Sequence, residues 1–279
     1  MKHIEGRFNG CKRLNLYYQC WLPAANPKAI LLVVHGWAEH SGRYTNLVNY
    51  FVPKGYAVCA LDQRGHGRSE GMRGYVERFS DYLDDLQLFI QIVKNEYTDK
   101  NIFLVGHSMG ATVATAYTAT GTNRRDLAGL ILSGVGIKPG QSLSSALIPL
   151  ARLLSIVLPK MGVMVLDASA ISQDNTVVDA YINDPLVYRG KITCRFGAEM
   201  LAILRKLPSE MPQIKLPVLI MHGTADRLSD PEGSQILCNR VGSSDKTLKL
   251  YDGFYHEIFN EPGHKQVLAD TEAWIAARI

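Results

Sequence analysis

Residues Gly106-His107-Ser108-Met109-Gly110 constrain this chain more than any other stretch. An apolar run, Ile102-Phe103-Leu104-Val105, precedes them and reads as a buried strand. Ala111 to Tyr117, small and helix-compatible, follows. Strand, Gly-x-Ser-x-Gly and helix, in that order, predict a sharp turn that lifts a serine hydroxyl clear of a sheet. A turn this tight needs residues without bulk beside the serine, which Gly106 and Gly110 supply. Ser108 is therefore the candidate nucleophile.

The surrounding pattern alternates. Leu14 to Leu22, Ala29 to Val34, Tyr56 to Leu61, Leu127 to Leu132, Pro217 to Met221 and Thr247 to Tyr251 read as further strands. Tyr44 to Val52, Phe79 to Tyr97 and His264 to Ile279 read as helices. Such alternation predicts a mainly parallel, doubly wound sheet. The rhythm breaks between about Gly136 and Pro212, which holds helix-like patches but no clear strand run. Residues 1–135 and 213–279 are thus expected to form one α/β domain. Residues 136–212 are expected to form a cap, inserted on the carboxyl side of the sheet where such sites lie. A chain of 279 residues can bury a core of that size without staples.

Composition excludes more than it selects. The apolar share of 47% and charged share of 20% are ordinary for a globular enzyme. The net charge of +4 is mild. Arg64, Arg68, Arg73 and Arg78, and the pair Arg124-Arg125, read as solvated surface, and no aromatic-interleaved basic patch argues for nucleic acid. The five cysteines, Cys11, Cys20, Cys59, Cys194 and Cys238, are scattered and lack any C-x-x-C spacing. That argues against a disulfide framework or a zinc site. Cys59 reads as a small buried hydrophobe, and a reducing compartment fits best. Met1 to Gly6 has no secretory apolar segment. The most apolar window, Ala146 to Leu166, is broken by Pro149, Arg152, Pro159, Lys160 and Gly162, against a spanning helix. The expected location is cytoplasmic, with peripheral contact at membranes.

A serine hydroxyl needs a base to take its proton and an acid to orient that base. In a strand–elbow–helix fold the order along the chain is serine, then Asp or Glu, then histidine. Asp226, in His222-Gly223-Thr224-Ala225-Asp226, lies just past a strand end and is the candidate acid. Asp230 competes, but Asp230-Pro231-Glu232 reads better as a helix start with an N-cap and an early proline. His256, in Gly253-Phe254-Tyr255-His256-Glu257, follows both residues and the last strand, and is the candidate base. His35, His40 and His66 precede the serine, His107 sits inside the elbow, His222 precedes the Asp, and His264 begins a surface helix. The oxyanion of a tetrahedral intermediate needs fixed donors. The backbone N–H groups of Met109 and Trp37, the latter in His35-Gly36-Trp37-Ala38, are the candidates. This chemistry requires no metal or organic cofactor.

Together with His35 to Tyr44, Asp62 to Ser69 and Tyr181-Ile182-Asn183-Asp184-Pro185-Leu186, these motifs resemble the monoacylglycerol lipase / lysophospholipase family of α/β-hydrolases over nearly the whole chain. The resemblance implies an α/β-hydrolase fold: a mostly parallel eight-stranded sheet flanked by helices, with an inserted helical cap. It implies Ser108 as nucleophile, Asp226 and His256 as its partners, and Trp37 and Met109 as oxyanion donors. One departure stands out. The family's usual loop is His-Gly-x-Gly-Glu-His, and Ala38 replaces the second glycine. The donor is a backbone N–H, so the chemistry survives, but alanine restricts φ and the bulk of Trp37 narrows the pocket wall. Glu39 and Arg43, four residues apart with the acid first, read either as a helix-surface ion pair or as the polar end of the pocket, near a glycerol head group. Tyr181 stands where the family places a cap tyrosine near the pocket mouth.

The apolar residues of Ala146 to Leu166 either pack on the hydrolase domain or form an acyl channel with an exposed rim that dips into a bilayer or micelle. The expected function is a serine ester hydrolase that releases a fatty acid from monoacylglycerol, a small-molecule lipid ester. A lysophospholipase, or a carboxylesterase of short-chain esters, uses the same chemistry. A non-catalytic ligand-binding module on this fold is disfavoured, because all three triad candidates are present.

Overall fold

Uninterrupted apolar runs become the middle of one sheet. A computed structural model describes residues 1–120, 126–138 and 153–279. Its strands are β1 (Lys2–Asn9), β2 (Asn15–Leu22), β3 (Ile30–Val34), β4 (Ala57–Leu61), β5 (Ile102–His107), β6 (Gly129–Ser133), β7 (Gly162–Met164), β8 (Ile192–Thr193), β9 (Val218–Gly223) and β10 (Lys246–Tyr251). Eight of them form a sheet in the order β1-β2-β4-β3-β5-β6-β9-β10. β4, β3, β5, β6, β9 and β10 run parallel, while β2 pairs antiparallel with β4 and β1 antiparallel with β2 at one edge.

Helices cover both faces. They are α1 (Thr45–Phe51), α2 (Ser80–Glu96), α3 (Met109–Thr120), α4 (Asn175–Asn183), α5 (Cys194–Glu210), α6 (Glu232–Arg240) and α7 (His264–Ala276). Because strand side chains alternate, Ile30, Leu32 and Val34 of β3 join a core with α2, α3, α5 and α6. Leu31 and Val33 join the opposite core, with α1 and α7. Burial on both faces is why the inner strands are apolar without alternation.

β1 is legible only from structure. It is an edge strand with little burial, so it needs few apolar residues. Between β6 and β9 the described residues add no strand to this sheet and form the separate short antiparallel pair β7–β8. The later part of this stretch is bound into the body: Leu207 of α5 and Met211 are fully buried in the core beside α3. Arg124-Arg125, and residues 146–152 of the apolar window, lie outside the described residues. Among the described residues no helix is long and apolar enough to cross a membrane.

Two expectations need correction. Arg64 is not solvated: it is 5% exposed, with Nε and Nη2 donating to Asp85 at 2.6 and 2.8 Å and Nη1 facing Asp81 at 3.3 Å. These acids lie one turn apart on α2, so a helix face the sequence shows as polar is a buried clamp. Nor do all five cysteines stand alone. Cys20 and Cys59 are directly opposite on antiparallel β2 and β4 and form a disulfide. Sheet order closes a separation of 39 residues that sequence spacing hides. Cys11, Cys194 and Cys238 remain free. Thiol titration of denatured, unreduced protein is therefore expected to find three thiols, rising to five after reduction; five from the outset would rule out the bridge.

Candidate active site

The elbow is built by close approach. A side chain at Gly110 would put its Cβ 2.0 Å from the carbonyl oxygen of Val34, and one at Gly106 would lie 2.7 Å from the Ala111 Cα. With neither present, α3 presses against the ends of β3 and β5. Ser108 turns between them at φ 52°, a left-handed conformation that costs a non-glycine residue about 1–3 kcal/mol. Its amide donates to the Ser133 carbonyl at 2.9 Å, which anchors the turn to β6. Met109 is the first residue of α3. Its N–H is thus one of the helix's unpaired donors, at the positive end of the helix dipole.

The loop after β3 carries the other candidate donor, the Trp37 amide. The His35 ring is buried, and its Nδ1 donates to the Gly36 carbonyl at 2.7 Å while Nε2 accepts the Gln63 amide at 2.8 Å. Burial lowers its pKa to about 3, so the ring is neutral and this tautomer is fixed. The Gly36 C=O and Trp37 N–H share one peptide plane and point opposite ways, so holding the carbonyl aims the N–H. Glu39 completes the loop: its Oε1 accepts the Gly36 amide at 2.5 Å and the Tyr44 hydroxyl at 2.9 Å. Ala38 adopts φ 68°. This is the position where the resembling family carries glycine; the strained turn is tied down by the Tyr188 amide, which donates to the Ala38 carbonyl at 2.8 Å.

Asp226 and His256 come from the loops after β9 and β10. His256 Nδ1 donates to Asp226 Oδ2 at 2.6 Å. Asp226 Oδ1 accepts the amides of Leu228 and Ser229 at 2.8 and 3.0 Å. Burial works against the carboxylate, but His256, His222 and these amides outweigh it and hold Asp226 well below the usual carboxylate range. Burial likewise disfavours a charged His256, yet the Asp226 charge and hydrogen bond prevail and raise its pKa above the ordinary 6.5. Gly134, just past β6, makes room for this ring: a Cβ there would lie 3.1 Å from it. The His107 ring packs 4.8 Å from that of His256, and burial, with His256 beside it, keeps His107 neutral.

Ser108, His256, Trp37, Glu39 and Tyr181 line one cavity of about 30 Å³, room for roughly two waters. Trp37, Leu166, Ala168 and Tyr181 also line a second cavity of about 140 Å³. The Trp37 indole packs on Phe196 with centroids 4.1 Å apart, so its bulk forms the wall between catalytic and apolar space. The structure thus gathers Ser108, Asp226, His256, Trp37 and Met109. It corrects the surface reading of Glu39 and Arg43. Glu39 is buried and the Arg43 side chain is only 9% exposed; Arg43 instead donates twice to Glu257, at 2.7 and 2.9 Å, with Glu39 Oε2 at 3.8 Å. The guanidinium also lies 4.5 Å from the centre of the Tyr181 ring. Burial, then the nearby Glu257, pushes the Glu39 carboxyl up to about 7 against the pull of Arg43. Sequence reasoning missed Glu257, Gly134 and His222; adjacency to His256 and Asp226 was the available signal for the first and last.

Residues 25–263 match the family described as "Serine aminopeptidase, S33". The chain is 35% identical over 275 residues to the monoacylglycerol lipase of Mycolicibacterium smegmatis, covering 99% of this chain and 98% of that one. The chain belongs to the monoacylglycerol lipase family of α/β-hydrolases. Within that family it is also 35% identical to the monoglyceride lipase of Mus musculus, over 95% of this chain and 88% of the other. The crystal structure of Paleococcus ferrophilus monoacylglycerol lipase superposes with a TM-score of 0.82 at 28% identity, covering all of both chains.

The Arg43–Glu257 pair is largely shielded from solvent and joins the loop after β3 to the loop after β10. Removing one partner leaves the other charge unpaired. Arg43→Met is expected to lower unfolding free energy by about 3–5 kcal/mol in urea denaturation.

Proposed function

We propose that this chain hydrolyses monoacylglycerols through an acyl-enzyme on Ser108. The observation that carries the reading is the 2.6 Å bond from His256 Nδ1 to Asp226, set behind the Ser108 elbow in one cavity. Ser108 Oγ attacks the ester carbonyl while His256 takes its proton. The amides of Trp37 and Met109 receive the oxyanion. His256 then protonates the leaving glycerol oxygen, and Asp226 stabilises the imidazolium throughout. Water repeats the cycle and frees the fatty acid. Glu39, Arg43 and Tyr181 form the polar end of the pocket, where the glycerol head group sits. No cofactor enters the scheme.

Residues 136–212 act as the cap over this site. Ile156, Val157, Val163, Met164 and Val165 are each at least half exposed. An apolar surface of this kind suits contact with a bilayer or micelle holding the substrate. We place the protein in the cytoplasm, peripheral at membranes; the Cys20–Cys59 bridge pulls against that location, since reducing compartments disfavour disulfides. An aminopeptidase reading would need a free acid to bind the substrate's amine. The acids lining the Ser108 cavity are already engaged, Glu257 by Arg43, Glu39 by the Gly36 amide and Asp167 by Ser169, which favours the ester.

A panel of monoacyl-, diacyl- and triacylglycerols, lysophospholipids, short p-nitrophenyl esters and aminoacyl anilides tests the assignment. Monoacylglycerol is expected to lead; a lead for lysophospholipid, acetate ester or anilide would replace it. Ser108→Ala is expected to lower kcat by roughly 10⁴ to 10⁶ and to abolish fluorophosphonate labelling. For the cap, Ile156→Ser and Val163→Ser are each expected to weaken partition into neutral phosphatidylcholine vesicles about five-fold, half of the roughly 2 kcal/mol for full burial of such a side chain. Unchanged partition would remove the membrane contact.

A further inference from the structure

A second histidine holds the acid. His222, at the end of β9, is fully buried. It follows Val218-Leu219-Ile220-Met221, where an apolar residue would pack without a polar demand. Its imidazole is instead satisfied at both nitrogens. Nδ1 lies 2.7 Å from the Ser234 hydroxyl of α6, and Nε2 lies 2.9 Å from Asp226 Oδ2 and 3.2 Å from the Ser229 carbonyl. Both neighbours of Nε2 are acceptors, so Nε2 carries the proton and Nδ1 is placed to accept from Ser234. Asp226 Oδ2 therefore takes two imidazole N–H groups, from His222 and His256, while Oδ1 takes two amides.

We propose that His222 is a positioning residue for the reaction: by sharing Oδ2 it fixes the Asp226 carboxylate and limits how strongly that oxygen stabilises a protonated His256. The proposal rests on the roles given above to Ser108, Asp226 and His256. Without the His222 donor, one lone pair of Oδ2 is empty and the full charge of the oxygen faces His256. The imidazolium is then favoured further. Since His256 must be neutral to take the serine proton, activity is lost at a higher pH on acidification. The carboxylate also loses one of its braces, so the imidazole is less well aimed.

Other titratable groups face the same rings. His107, Glu39 and Glu257 face His256, Arg43 acts on His107, and Asp230, from the turn before α6, and His107 face His222. All stay in place in the variants below, so a moved limb reports on the Asp226–His256 pair.

The test is kcat/KM against pH for a soluble p-nitrophenyl acyl ester, with the intact protein and His222→Leu, His222→Gln, Ser234→Ala and Ser108→Ala. His222→Leu is expected to lower kcat/KM about 10- to 100-fold, the worth of a hydrogen bond to a charged group, and to move the acid limb to higher pH. His222→Gln keeps one donor and one acceptor, and is expected to restore most of the rate and the original limb. The midpoint of the limb does not depend on how much of a variant folds. If His222→Leu yields no folded protein, Ser234→Ala, which leaves Nδ1 unheld and so loosens the ring from Asp226 Oδ2, must move the limb in the same direction. An unmoved limb in His222→Leu, or in Ser234→Ala where the first fails to fold, overturns the inference while an inactive Ser108→Ala keeps the proposed function. An active Ser108→Ala overturns both.

Discussion

The site depends on how closely α3 approaches the end of β3. Two missing side chains, at Gly106 and Gly110, permit the contact. Much of what matters at the site follows from it. Ser108 is forced into its left-handed turn, the Met109 amide opens the helix, and the loop after β3 lies across the serine. The small residues of α3, Ala111, Ala114 and Ala116, extend the same close packing down the helix, where each is fully buried. The site's geometry is thus set by the rigid body of the fold, and the loops add charge to a frame already in place.

The loops, in turn, are tied to one another. Arg43 meets Glu257 beside His256, faces Glu39 in the loop after β3, and carries the Tyr181 ring of the segment above. One guanidinium therefore touches three elements that come together only in the folded chain. His40 adds a further link, with Nε2 donating to Asp184 at 2.8 Å. The region over the site is fastened by polar contacts on its inner side and left apolar on its outer side.

The parts of the molecule legible in the sequence are those written locally. Gly-x-Ser-x-Gly after an apolar run, Asp226 past one strand and His256 past another are short-range patterns, and each lands where such a pattern predicts. What escaped the reading depends on pairings across the sheet. The Cys20–Cys59 bridge needs β2 and β4 to be neighbours, Arg64 needs the face of α2 that bears Asp81 and Asp85, and His222 needs the loop after β9 to fold back on its own strand. Glu39 and Arg43 have the spacing of a surface pair; only the presence of Glu257, more than two hundred residues later, makes their burial affordable.

The cavity at Ser108 is too small for the ester it is proposed to cleave. With residues 136–212 acting as the proposed cap, the described conformation would be a resting state, and substrate would meet only the fraction of molecules whose cap has moved. An apparent dissociation constant in water equals the intrinsic one divided by that fraction. A lipid surface that bound the proposed apolar rim more tightly in such an open form would raise the fraction. On this account the bilayer is an effector as well as a reservoir, and a soluble ester and a membrane-dissolved one would report different affinities for an identical pocket.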